Sequence, residues 1–273
     1  MEVKRVCSVY WSATGNSRKT AEIIAGELAE KMGCPLDTID FTCPKDREST
    51  LTFAEGDLVV FVTPTYAGKV PNKILPFVKE KVFGNGALAV PVVTFGNRSY
   101  DNALAELSAL MENDGFHTVA GGVFVGRHSF TDKLAFGRPN EDDKKLMKHF
   151  AQQVADKIKA LDKIPAPIKV PGDSDAPYYS PKGADGQPVK FLKAKPKTDL
   201  AKCSNCGVCA RQCPMGAIDL ENVTEVPGTC IKCHRCIRIC IKGAKYFDDA
   251  ALLSHLAMVE QNFGEPKVNE IFL

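Results

Sequence analysis

The 273-residue chain has no long apolar run. Nothing in it approaches the roughly 18 consecutive apolar residues that a spanning helix needs, so no membrane segment is expected. The opening MEVKRVCSVYW reads as a strand with no cleavable apolar segment behind it, and a soluble cytoplasmic protein is expected. An excess of one charge is lacking too: 35 Lys and Arg stand against 33 Asp and Glu, a formal net charge of +2. No basic stripe or charge run is present, which removes nucleic acid from the expected partners. His117, His128, His149, His234 and His255 are scattered, and no proton-transfer constellation stands out. The dinucleotide fingerprint GxGxxG is absent. These absences argue against acid–base and dehydrogenase chemistry.

Cysteine is sparse over most of the chain and crowded in one place. Of 11 cysteines, eight fall between Cys203 and Cys240, while Cys7, Cys34 and Cys43 lie near the N-terminus without motif spacing. Such crowding in a cytoplasmic chain points to metal rather than disulfides. CSNCGVCARQC places Cys203, Cys206, Cys209 and Cys213; CIKCHRCIRIC places Cys230, Cys233, Cys236 and Cys240. The spacing C-x2-C-x2-C-x3-C is the same both times. Three cysteines at this interval let one tight loop present three thiolates to a cubane, and the fourth points to the other cluster. One [4Fe–4S] cluster is therefore assigned to Cys203, Cys206, Cys209 and Cys240. The other is assigned to Cys230, Cys233, Cys236 and Cys213. Two zinc sites are the competing reading, but zinc favours paired CxxC units over a third cysteine at the same interval. The second motif is basic, with Lys232, Arg235 and Arg238 in it and Lys242 and Lys245 nearby. These form either a solvated face or a set that raises cluster potential or docks an acidic partner. His234 reads as a hydrogen-bonding neighbour rather than a ligand.

The length exceeds most single α/β domains and suits one core plus a smaller module. Before the cysteines the pattern is strand–helix throughout. Strands are expected at 3–10, 36–41, 57–64, 87–95 and 118–126, and helices at 16–32, 70–83, 100–115 and 141–161. Five strands alternating with helices predict a parallel sheet. From Lys163 to Lys202 the period dissolves into a Pro-, Gly- and Lys-rich stretch that reads as an extended, wrapping linker. Tyr178, Tyr179, Phe191 and Leu192 inside it suggest that it is pinned to something.

Three loops follow strands of this pattern. SATGNS, Ser12 to Ser17, runs from the first strand into the first helix. Alone it reads first as a helix cap, with a phosphate seat as the alternative, since N–H groups at a helix N-terminus favour an anion. TPTYAGKVP (63–71) and TFGNRSYDN (94–102) each carry one tyrosine near glycine. In a doubly wound sheet such loops meet at the carboxyl ends of the strands, where ligands bind.

Taken together these loops resemble flavodoxin. The resemblance implies a doubly wound five-stranded parallel sheet of order 2-1-3-4-5 that binds FMN. Its phosphate loop matches Ser12, Thr14, Gly15, Asn16 and Ser17, with Ala13 replacing a hydroxyl residue. Its second loop matches Pro64, Thr65, Tyr66, Ala67 and Gly68, with Tyr66 on one face of the isoalloxazine. Its third matches Thr94, Phe95, Gly96, Asn97, Arg98 and Tyr100, with Tyr100 on the other face. Asn97 is placed near flavin N3, and Arg98 is either a cation near the flavin or an exposed loop arginine. Trp11 reads as packing.

The cysteine segment resembles the bacterial two-cluster ferredoxins, a small α+β domain. Pro214 follows Cys213 as in that family, whereas Ile241 follows Cys240 where proline is usual. GNRSYDNALAEL and KPKTDLAKCSNCGVCARQCPMGAI carry a resemblance to the flavodoxin–ferredoxin fusions of anaerobic bacteria. The expected domains are 1–163 for FMN, 164–198 as linker, 199–247 for the clusters and 248–273 as a helical tail. The cofactors implied are FMN and two [4Fe–4S] clusters. The function implied is electron relay between them in anaerobic, low-potential metabolism, with redox proteins as partners. A flavin-dependent reductase of a small molecule, or an NAD(P)H oxidoreductase, fed by its own clusters is the alternative. A folded monomer and a head-to-tail homodimer both remain open.

Overall fold

A computed structural model describes Met1 to Leu273. In chain order its elements are β1 (Arg5–Tyr10), α1 (Asn16–Met32), β2 (Leu36–Asp40), β3 (Leu51–Thr52), β4 (Asp57–Pro64), α2 (Leu75–Lys81), β5 (Val82–Phe83), β6 (Leu88–Phe95), α3 (Ala103–Asn113), β7 (His117–Thr118), β8 (Gly121–Val125) and α4 (Glu141–Ala160). There follow β9 (Lys197–Thr198), α5 (Val208–Arg211), α6 (Arg235–Arg238), β10 (Lys245–Tyr246), α7 (Ala250–Asn262) and β11 (Glu270–Phe272).

The central sheet has the order β11-β8-β6-β4-β1-β2, with β7 paired to β6. The five strands β2-β1-β4-β6-β8 are parallel and carry the anticipated order. β4 and β6 are buried almost end to end and mostly apolar because helices cover both faces. One face buries Ile24, Leu28, Met147 and Phe150 of α1 and α4. The other buries Phe77, Leu104, Leu107 and Met111 of α2 and α3.

Two elements differ from the sequence reading. The helix expected over 70–83 is confined to Leu75–Lys81. Pro76 lacks an N–H and fits only the first helical turn, and Val82–Phe83 leaves to pair with Leu51–Thr52. The C-terminal segment is not only helical. Its β11 adds antiparallel to β8, placing Glu270 opposite Val123. That sixth strand covers the edge that the five-strand pattern leaves open.

The cysteine module folds back on the sheet's carboxyl edge. β9 and β10 form its two-stranded ribbon. Its two halves repeat in backbone detail. Gly207 and His234 precede α5 and α6 in the left-handed region, with φ of 72° and 60°. Ala217 N–H donates to Cys213 Sγ at 3.3 Å, and Ala244 N–H to Cys240 Sγ at 3.3 Å. Glycine takes the left-handed conformation without cost; histidine does not. His234 is held there by stacking between Phe130 and Phe247, at 4.3 and 4.8 Å. Its Nε2 is buried without a partner, so stacking, not the hydrogen bond anticipated from sequence, is its role.

Candidate functional site

The loops after β1, β4 and β6 enclose a cavity of about 680 Å³. Its volume lies within the range of cofactor sites, roughly 300–1,000 Å³. Of the residues singled out from the sequence, Ser12, Ala13, Thr14, Asn16 and Ser17 line it from the first loop. Pro64, Thr65, Tyr66, Ala67 and Gly68 line it from the second, and Thr94, Phe95, Gly96 and Arg98 from the third.

The first loop is built as an anion seat. Gly15 turns the chain at φ 95° directly ahead of α1, a conformation other residues adopt only under strain. Ser12 Oγ accepts from Arg18 N–H at 3.0 Å, and Ser17 Oγ pairs with Thr94 Oγ1 at 2.8 Å. Asn16 Nδ2 donates to Arg127 O at 2.7 Å. The N–H groups of Ala13, Thr14, Gly15, Asn16 and Ser17 find no acceptor in the chain. Five successive free donors at the start of a 17-residue helix suit a phosphate. Thr65 Oγ1, on the same wall, is buried and also without a partner. No Asp or Glu lines the cavity, whereas Lys73, Arg98, Arg127 and Lys232 do. Donors, charge and size therefore fit FMN.

Tyr66 stands on this wall, edge-on to Trp11 at 5.7 Å. Burial pushes its hydroxyl well above the usual range, and the nearby sulfurs of Cys233 and Cys230 add to that. Arg98 is on the wall rather than loose in solvent; it pairs with Asp101 and lies 4.2 Å over the Tyr179 ring.

Tyr100 and Asn97 require correction: neither reaches the cavity. Tyr100 packs edge-on against Phe95 at 5.7 Å, and its hydroxyl donates to Glu270 Oε2 at 2.9 Å. Asn97 Nδ2 donates to Phe263 O and Glu265 O, while its Oδ1 accepts from Lys267 N–H. Both are drawn away by the C-terminal segment that continues into β11. Aromatic lining comes instead from Phe130, Tyr178, Tyr179, Phe191 and His255, with Tyr179 N–H donating to Ala67 O in the loop of Tyr66. Four of the cavity residues, Tyr178, Tyr179, Phe191 and Leu192, are those whose apolar character marked the linker as pinned. Tyr178 donates to Val70 O at 2.8 Å. Lys69 Nζ donates to Ser174 O and Ala176 O while pairing with Glu106 at 3.1 Å. His128, also on the wall, is pushed down to about 4 by burial and by neighbouring His255 and Arg238, so it is neutral at pH 7.

A second, small cavity holds Cys213, Cys230, Cys233 and Cys236 on its walls, among Met215, Ile218, Val226 and Phe247. Burial pushes Cys233 up to about 12 and Cys236 higher still, and the crowded sulfurs repel each other's charge. Four thiolates gathered in so dry a place need a cationic core, which fits an iron–sulfur cluster. Six of the eight cysteines are half-buried; Cys206 is exposed and Cys233 buried, so the set of Cys203, Cys206, Cys209 and Cys240 is the one that reaches the surface. Cys230 and Ile231 line both cavities.

The basic residues of the second motif are engaged within the chain. Arg238 donates to Ser129 O and His128 O at 3.1 and 3.0 Å. Lys232 Nζ donates to Leu192 O and Cys230 O, and Lys245 Nζ to Thr198 Oγ1. Only Lys242 keeps the solvated character considered from sequence.

The family model described as Flavodoxin matches residues 9–150, just over half of the chain. That described as 4Fe-4S dicluster domain matches residues 195–250. An uncharacterized protein of Methanocaldococcus jannaschii is 38% identical over 59 residues, 22% of this chain and 23% of that protein. The chain thus spans about a quarter of the curated relative it matches. Among solved structures, a flavodoxin from the domain Archaea is 17% identical with a TM-score of 0.42, covering 57% of this chain and 99% of that one. Flavodoxin 2 from Bacillus cereus is 17% identical with a TM-score of 0.40, covering 57% and 99%. The rubredoxin oxygen:oxidoreductase of Desulfovibrio gigas is 17% identical with a TM-score of 0.39, covering 58% and 37%.

Proposed function

Because the chain belongs to the flavodoxin family and carries a 4Fe-4S dicluster ferredoxin domain behind its flavodoxin domain, we propose that it is a built-in electron relay, complete within one polypeptide. FMN exchanges electrons singly or in pairs and each cubane carries one, so both domains serve electron transfer. The single observation that carries the relay is the shared wall of Cys230 and Ile231 between the flavin cavity and the four-cysteine cavity.

In this reading the free N–H groups of Ala13 to Ser17 hold the FMN phosphate. Tyr66 and the aromatics of the linker line the space that the ring occupies. Cys213, Cys230, Cys233 and Cys236 hold the inner cluster, kept from water by Met215, Ile218, Val226 and Phe247. Cys203, Cys206, Cys209 and Cys240 hold the outer cluster at the surface, where a redox partner protein docks. An outer cluster open at Cys206 is open to oxygen, which supports a place in anaerobic, low-potential metabolism.

The test is stopped-flow reduction of the loaded protein by a one-electron donor, followed at flavin and cluster wavelengths. Exchange between the two at a rate independent of protein concentration is the expected result. A rate rising linearly with concentration refutes the relay, because the centres then meet only by collision.

A further inference from the structure

Arg235 lies between Cys233 and Cys236, yet its guanidinium leaves the cysteine module. Nη1 donates to Ala13 O at 2.8 Å and to Ser12 O at 3.2 Å, and Nη2 donates to Gln212 Oε1 at 2.8 Å. Ser12 and Ala13 are both buried. The two carbonyls so held belong to the loop whose N–H groups are free.

Peptide geometry connects these facts. In a planar trans peptide the C=O of one residue and the N–H of the next point in opposite directions. Fastening the carbonyls of Ser12 and Ala13 to one guanidinium turns the N–H groups of Ala13 and Thr14 the other way. Both residues line the large cavity, and both N–H groups lack an acceptor in the chain. Both bonds come from Nη1, whose two N–H groups lie in the guanidinium plane, while Nη2 is anchored to Gln212; a single rotating ammonium fixes no such plane.

We propose that Arg235, a residue of the second cluster motif, is a positioning residue for the FMN phosphate. It rests on the phosphate seat proposed above. The ferredoxin domain thereby completes the flavin site of the other domain. Binding of FMN and docking of the cluster-bearing domain favour each other, and the coupling is reciprocal.

Riboflavin has the same ring as FMN and no phosphate, so the pair of ligands isolates the seat. Both are titrated anaerobically, by quenching of flavin fluorescence, into cluster-loaded protein freed of its flavin. Arg235→Met is expected to lower the preference for FMN over riboflavin at least tenfold, the scale of one charge-assisted hydrogen bond, with riboflavin affinity unchanged. Arg238→Met is the control. Arg238 also ties the domains together, but through His128 O and Ser129 O, so it should leave the preference intact. If Arg235→Met does not load its clusters, Arg235→Lys replaces it and should show a smaller loss of the same preference. Equal weakening of FMN and riboflavin would make Arg235 mere inter-domain glue and overturn the proposal, as would no change in either. A wild-type chain without preference for FMN would remove the phosphate seat itself, and the proposal with it.

Discussion

Replacing Tyr100 tests where the loop after β6 points. The structure sends the Tyr100 hydroxyl to Glu270 Oε2 at 2.9 Å and its ring against Phe95. Tyr100→Phe removes only the hydrogen bond. A bond to a charged acceptor contributes about 1.5–3 kcal/mol when dry, and neutral or wetter ones about 1. Both residues are half-buried, and water replaces part of what the carboxylate loses. A loss of about 1 kcal/mol follows, which lowers Tm by roughly 2–4 °C in a domain of this size. Burial, then the bond to Glu270, raises the hydroxyl to about 12. The unfolded tyrosine ionises near 10, so its contribution is complete below that pH and vanishes as pH rises toward 12. Wild type should lose its advantage over Tyr100→Phe across that window, read by thermal melts at each pH. Tyr100→Leu removes the ring, and FMN affinity and the flavin spectrum should stay as in wild type. A tenfold weaker FMN or a shifted flavin band in Tyr100→Leu would put the tyrosine on the isoalloxazine and refute the placement.

The other predictions concern the remaining parts of the relay. Cys213→Ser should reduce iron from about eight to about four per chain, removing the cluster held with Cys230, Cys233 and Cys236 while flavin is retained; loss of the outer cluster instead would refute the crossed assignment. Gly15→Val should strip FMN from the purified protein while the circular dichroism of the helices persists. Within the chain a Cβ there meets nothing, so its cost to the fold is the left-handed φ of 95°, about 1–2 kcal/mol in strain, and the loss of FMN reports the close approach that the backbone allows a phosphate. Lys69→Met leaves Glu106 without its buried partner and frees Ser174 O and Ala176 O. It should cost about 3–5 kcal/mol and expose residues 172–180 to limited proteolysis; unchanged resistance would show the linker to be held elsewhere.

Much of this was legible because the deciding signals are local. Cysteine spacing is a property of one short loop, and the continuous apolar runs of β4 and β6 mark strands covered on both faces whatever surrounds them. The phosphate loop is local as well, a glycine turn leading into a helix. Tyr100 and Asn97 were misplaced because their directions are set by a distant partner. Glu270 and the backbone of residues 263–267 capture them, and a three-residue strand such as β11 has no periodicity to reveal it. Arg235 stands in a basic run whose charges read alike, and only the fold separates the one that reaches Ser12 and Ala13 from Lys242 in solvent. The linker aromatics were the intermediate case, since their burial was evident but not what they cover.

The pairing of β11 with β8 changes what kind of assembly this is. The chain leaves the sheet after β8, builds the entire ferredoxin domain, and returns to the sheet to lay down a last strand. The second domain is thus an excursion anchored at both ends, not a pendant on a tether. Opening it like a hinged lid would require peeling a strand from the sheet, which a flexible single linker would not. Its closure also joins segments separated by about half the sequence, a connection that folding reaches late because the loop it closes is long. Up to that moment the edge of β8 lies bare. The sheet is sealed by the same segment that fixes the loop after β6, so completion of the first domain waits on synthesis of the second.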